Sequence, residues 1–122
     1  MSGSRVTTQA VGRTGEGIAL DHLRRKKYKI VETGFHFLRG EIDIIARDGP
    51  TLVFVEVKMR TGTGFGRPEE AVTPAKQRQI RKVAEGYLMV RRLGDVPCRF
   101  DVISIGPGDR GGTTVEHFEN AF

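Results

Sequence analysis

The chain has 122 residues, with 20 Lys and Arg against 15 Asp and Glu, for a net charge of +5. That length suits one domain, which buries roughly two-thirds of its unfolded surface without disulfides or a structural metal. The single cysteine, Cys98, excludes an internal disulfide and any metal site built on several thiolates. It fits a reducing cytoplasm, and its plainest role is that of a small buried hydrophobe. No apolar run approaches the ~18 residues of a membrane span, so the expectation is a cytoplasmic protein without a membrane partner.

Met1 to Thr14 is polar and lacks the apolar core of a signal peptide. Residues 1–11 are read as a disordered lead-in to one domain over 12–122. From Glu16 to Lys27, Ala19, Leu20 and Leu23 recur at helical spacing, which predicts a first helix starting near Thr14. Tyr28 to Phe37 reads as a strand with polar interruptions. Glu41 to Arg47 alternates sharply, and Thr51 to Met59 is rich in β-branched and aromatic residues, as a central strand is. Asp48-Gly49-Pro50-Thr51 is the turn between these two.

Thr61 to Pro68 is glycine-rich and reads as a loop. Thr73 is a good N-cap and Pro74 fits the first helical position. Ile80, Val83, Ala84, Tyr87 and Leu88 carry a second helix to about Arg92. Arg99 to Ile105 is a fourth strand, and Thr114 to Phe118 a short fifth. The order α-β-β-β-α-β predicts an α/β fold: a mixed sheet flanked by helices, with a meander followed by a parallel crossover through the second helix.

Positive charge is concentrated in both helical stretches. Gln9 to Lys29 holds six Lys or Arg against Glu16 and Asp21, and Pro74 to Arg92 holds six against Glu85 alone. Such clusters suit a polyanionic partner, or are simply solvated helix faces.

The turn aligns the second and third strands. A hairpin folded symmetrically about Gly49-Pro50 sets Asp43 opposite Glu56 and Glu41 opposite Lys58. Alternation then puts Glu41, Asp43, Ile45, Phe54, Glu56 and Lys58 on one face. Ile42, Ile44, Val53, Val55 and Val57 share the other. Opposed residues have Cβ atoms ~5 Å apart, where two carboxylates repel. Partial burial beside Ile45 and Phe54 worsens that repulsion. A cation is needed. Lys58 supplies one charge, and a hard divalent ion such as Mg²⁺, which takes oxygen ligands, would supply the rest. The competing reading is a solvated sheet face with Glu56 and Lys58 paired as ions. Glu16 lies on the apolar stripe of the first helix, where it either caps the helix start or points into the site. Gln77 precedes Ile80, Ala84 and Leu88 on the second stripe. It is an ordinary helix-start amide unless a family analogy says otherwise.

These residues carry a resemblance. Gly12-Arg13-Thr14-Gly15-Glu16, Gly40-Glu41-Ile42-Asp43-Ile44-Ile45-Ala46 and Val53-Phe54-Val55-Glu56-Val57-Lys58 resemble motifs of the YraN-like family of predicted bacterial endonucleases. Ala71 to Gln77, Cys98 to Val102 and the terminal Asn120-Ala121-Phe122 extend the similarity over about Gly12 to Phe122. That family is similar to archaeal Holliday junction resolvases of the restriction-endonuclease-like, PD-(D/E)xK fold. The resemblance implies a helix glutamate at Glu16, a strand aspartate at Asp43, an E-x-K at Glu56 and Lys58, and a supporting helix residue at Gln77. Gly17 stands where an acidic residue is common, and His22 where an aromatic is common.

The function so implied is metal-dependent hydrolysis of a DNA phosphodiester, with branched or junction DNA as candidate substrates. Asp43, Glu56 and the Val57 carbonyl would hold Mg²⁺, with Mn²⁺ as a substitute. Lys58 would orient or deprotonate water, or stabilise charge on the phosphate. The basic helices would grip phosphates without reading sequence. Junction cutting would call for a two-fold homodimer. Gly62 to Pro68, directly after Lys58, is either a plain surface loop or a close approach to the scissile strand. The competing classes are a nucleic-acid-binding module that keeps the fold without catalysis, and an adaptor for an acidic protein. His22, His36 and His117 lack zinc-ligand spacing.

Overall fold

The computed structural model describes residues 15–61 and 72–122. The lead-in, the helix start near Thr14 and the Gly62 to Pro68 loop lie outside the described residues. Helix α1 occupies residues 15–25. Strands β1 (Lys29–Phe37), β2 (Gly40–Asp48) and β3 (Thr51–Met59) follow, then helix α2 (Pro74–Val90) and strands β4 (Cys98–Pro107) and β5 (Thr113–Phe118). The strands form one sheet in the order β1-β2-β3-β4-β5. Pairing is antiparallel throughout except β3 with β4, which run parallel on either side of the α2 crossover. This is the mixed α/β sheet that the element order predicts.

The helices cover opposite faces. On one side Ile80, Val83, Ala84 and Tyr87 of α2 pack with Phe35, Ile45, Phe54 and Val102. On the other, Ala19 and Leu23 of α1 pack with Ile44, Val53, Val55, Ile103 and Ile105. Thr73 caps α2 by accepting the Lys76 N–H at 3.2 Å, with Pro74 behind it. Gly86 lets α2 settle onto β1, because a Cβ there would stand only 2.4 Å from the Phe37 ring.

The β2–β3 register is the one the turn predicts, from Asp48↔Thr51 through Ala46↔Val53 to Ile44↔Val55. Gly49 takes φ +61 at the turn. Strict alternation fails one step further on. Ile42 packs in the α2-side cluster although Ile44 lies in the α1-side cluster, so the expectation that both share a face is corrected. The cause is local. Gly34, on β1 beside this step, adopts φ +64, a backbone state open to glycine. Beyond Ile44↔Val55 the Val57 N–H is taken by the Asp43 side chain. Glu41 pairs with His36 of β1 at 3.5 Å, in place of the predicted opposition to Lys58.

A second correction concerns Cys98. It is exposed at the first residue of β4, outside the packed part of the strand, and its thiol donates to the Val96 carbonyl at 3.3 Å. Among the described residues no helix is long and apolar enough to cross a membrane.

A carboxylate pair at the edge of the hairpin ladder

Phe54 faces α2, so alternation points Glu56 toward the same helix. Its side chain is 16% exposed. Asp43, half-buried on β2, interacts with Glu56 where the ladder ends, and its Oδ2 accepts the Val57 N–H at 2.8 Å. A strand residue directs its N–H and C=O to the same side. The Val57 carbonyl therefore points toward the gap that Asp43 occupies.

The electrostatics are those of two acids short of positive charge. Burial pushes the Glu56 carboxyl up to about 7, the Asp43 charge adds to this, and Lys76 opposes it. Asp43 is also raised, first by burial and further by the nearby Glu41 charge. The Val57 N–H and Lys76 pull the other way. Among the described residues the compensating cation is Lys76, whose Nζ stands 3.9 Å from Glu56 Oε2. A single ion pair at that distance, with a lysine 41% exposed, is weak.

Lys76 was not singled out from the sequence, although a signal existed. It lies in the first turn of a helix that has no acidic residue there. The positive end of the helix dipole disfavours a cation at that place, so a lysine there implies an anion supplied from elsewhere. Glu56 is that anion.

The other expected residues are placed as follows. Lys58 is exposed two residues beyond Glu56 and aligns with Ser104 of β4. Gln77 donates from Nε2 to the Val72 carbonyl at 3.0 Å, an amide that closes the start of its own helix. Glu16 is exposed on α1, with no hydrogen bond or ion pair among the described residues. Gly15 lies against Met59, so α1 starts near the end of β3 that carries Lys58. α1 nonetheless packs on the sheet face opposite α2. The two basic helices therefore present their charge on opposite sides of the molecule.

Among the described residues, no three His, Cys, Asp or Glu side chains converge as a metal cage. Two carboxylates and a backbone carbonyl are too few for a closed structural site. They are the kind of set from which Mg²⁺ is held when solvent and phosphate oxygens complete its shell. The donors are all hard oxygens and the pair lacks positive charge, so the residues present fit that ion.

Fold and site together define an α/β protein with a restriction-endonuclease-like core and an under-compensated carboxylate pair on its sheet. The chain belongs to the uncharacterised protein family UPF0102, whose sequence profile matches residues 15–105. This is the family to which the motif resemblance pointed. Among its relatives is a UPF0102 protein of Geotalea uraniireducens, 47% identical over 121 residues, which are 99% of this chain and 95% of that protein. One from Geobacter metallireducens is 49% identical over 114 residues, 93% of each chain. A third, from Chlorobium limicola, is 45% identical over 118 residues, covering 93% of this chain and 92% of the relative.

Proposed function

We infer that this protein is a metal-dependent nuclease that hydrolyses DNA phosphodiester bonds. The observation that carries the reading is the contact between Asp43 and Glu56, half-buried together, with Lys76 the one cation set against them among the described residues. A purely structural site would gain by losing one of these acids, since opposed like charges destabilise a sheet. Sites that hold carboxylates against this cost are commonly functional.

Asp43, Glu56 and the Val57 carbonyl would hold a divalent cation. When bound, such an ion polarises a phosphoryl oxygen and makes water a nucleophile near neutral pH. The protein's own contributions follow from placement. The Val57 N–H fixes one oxygen of the Asp43 carboxylate by a 2.8 Å hydrogen bond and so orients the acid beside Glu56. Lys58, exposed on the same face, would place its ammonium against the phosphate and offset charge that develops there. Lys76 would screen Glu56 from one side while the substrate is absent.

The test is cleavage of a panel of branched, flapped, single-stranded and duplex DNAs with Mg²⁺ or Mn²⁺. Asp43→Asn should abolish cleavage, by at least about 10³-fold, and leave DNA binding largely intact. DNA binding without cleavage of any substrate would overturn the enzyme reading in favour of a non-catalytic binding module. Equal loss of binding and cleavage in Asp43→Asn would overturn the role given to that residue.

A further inference from the structure

Beside the carboxylate pair lies a groove of about 740 Å³, formed where the β1–β2 turn meets the first half of α2. Its charged lining is cationic: Arg39 from the turn, and Arg78 and Lys82 from the helix, with no acidic residue among the lining side chains. Its apolar lining is Phe37, Leu38 and Val83. Leu38 is 82% exposed at the tip of the turn and adopts φ +55, so its side chain is held out in solvent. The Gln79 amide donates to the Arg39 carbonyl at 3.2 Å and ties the turn to the helix.

Two features of this groove combine. Arg78 and Lys82 are four residues apart and therefore stack along one helix face. The lining run from Ala75 to Lys82 covers about 10 Å of helix at ~1.5 Å per residue. Arg78 and Lys82 stand on this run, about 6 Å apart along the axis, and Arg39 joins them from the turn, so the groove offers three cations to a phosphate backbone. A duplex backbone would use the cations alone, because its bases are stacked inside. An exposed leucine beside a half-buried phenylalanine gains contact area when an unpaired base lies on it. Cationic tracks flanked by base-contacting surfaces are how proteins hold unpaired strands. The groove's lining includes Ala75, the residue before Lys76, and Lys76 is the contact of Glu56, so the groove begins one helix position from the cation of the carboxylate pair.

We propose that this groove binds an unpaired strand of nucleic acid, with its phosphates on Arg39, Arg78 and Lys82 and a base against Leu38 and Phe37. This deepens the nuclease reading by naming the form of the substrate, and it rests on that reading for what lies at the groove's end. The site selects structure and not sequence, because phosphates and a base face are common to all four nucleotides. A fork, flap or branch, where an unpaired strand leaves a duplex, is the substrate this arrangement prefers.

The experiment reads binding without any metal, so that it stands apart from catalysis. The full chain is titrated in EDTA against a fluorescent single-stranded oligonucleotide and against a duplex of equal length, by anisotropy, over a range of salt concentrations. The single strand should bind tighter. The double variant Arg78→Glu/Lys82→Glu, at exposed helix positions, should weaken it by at least about tenfold and flatten the salt dependence by about 1.4 in log–log slope. Leu38→Ala should weaken the single strand several-fold and leave the duplex unchanged. Arg24→Glu/Arg25→Glu on α1 carries the same change in net charge on the opposite face, and should have much the smaller effect.

Equal losses in the two double variants would overturn the proposal, because only overall charge would then matter. Equal binding of duplex and single strand with a neutral Leu38→Ala would overturn it as well. Competition by poly-glutamate as strong as by unlabelled oligonucleotide would assign the groove to an acidic peptide instead. The two readings fail separately. Unaltered binding in the groove variants alongside Glu56-dependent cleavage removes the groove and keeps the nuclease. Lost binding with no cleavage under any metal keeps the groove and removes the nuclease.

Discussion

Glu56 and Asp101 lie on neighbouring strands of one sheet, a single step apart: Asp101 aligns with Val55, and Val102 with Glu56. They face opposite helices and live in opposite electrostatic conditions. Asp101 is fully buried, yet it is saturated with donors. His117 Nε2 donates at 2.8 Å, Arg99 at 2.9 and 3.0 Å through two nitrogens, and the Asn120 N–H at 3.0 Å. Burial alone would raise this carboxyl, but the bonds from His117, Arg99 and Asn120 outweigh it and hold Asp101 below the usual carboxylate range. The network spreads outward, since Arg99 also reaches Asp48 and Tyr28, and Lys26 donates to His117 Nδ1 at 3.0 Å. Asp101 thus ties β4, β5 and the chain end together, with links to α1 and β2. Among the described residues Glu56 has one distant lysine and an acid for a neighbour, and its carboxyl is driven up to about 7. A buried acid given every donor serves the fold, while one left short of donors among the described residues is where a functional role is sought.

The comparison can be broken by substitution. The largest effect on stability is expected at Asp101. Asp101→Ala leaves Arg99 and His117 without their buried anion and should cost about 3–5 kcal/mol, read by urea denaturation. A cost below about 1 kcal/mol would show that the network contributes little. The same logic reversed applies to Glu56. Replacement by Gln removes like-charge repulsion and should raise stability at pH 8 by about 1 kcal/mol after allowance for solvent screening, while cleavage is lost.

The pH dependence sharpens the point, because the two acids have opposite signs. Between its ordinary 4.5 and about 7, Glu56 keeps its proton in the folded chain after the unfolded chain has lost it. The folded state binds more protons in that window, so stability falls as pH rises through it. Glu56→Gln should flatten this fall. Asp101 has a lowered value, so its contribution is present above the ordinary 3.8 and is lost as pH drops further. Asp101→Asn should therefore blunt acid unfolding below about pH 4.

An effect of similar size is expected from metal. If Asp43 and Glu56 hold Mg²⁺ with a Kd near 1 mM, about 10 mM of the ion stabilises the fold by roughly 1.4 kcal/mol, visible as a rise in Tm. The rise should vanish in Glu56→Gln and persist in Asp101→Asn. An effect of the same order is expected at the helix that carries Lys76. Thr73→Ala removes the N-cap and should cost about 1 kcal/mol.

Much of the fold was legible in the chain because its signals are local. Gly49 closes the turn, β-branched and aromatic residues fill Thr51–Met59, and Thr73-Pro74 starts α2. Turn chemistry and alternation together set the β2–β3 register, and with it the neighbourhood of Asp43 and Glu56. Each of these signals spans a few residues and rests on backbone preference or side-chain period. What the chain concealed lies between residues far apart. Lys76 meets Glu56 across the crossover, Asp101 collects donors from β4, β5 and the chain end, and Ile42 changes face where Gly34 on another strand takes positive φ. The Cys98-to-Val102 and Asn120-to-Phe122 motifs also found their meaning only here. The Ala121 N–H meets the Phe100 carbonyl at 2.7 Å and the Phe122 ring stacks on Phe100, so the two stretches form one clamp. Periodicity says which residues face inward, but only the packing of α1 and α2 on opposite sides of the sheet decides which inward-facing charges find partners and which are left in want of one.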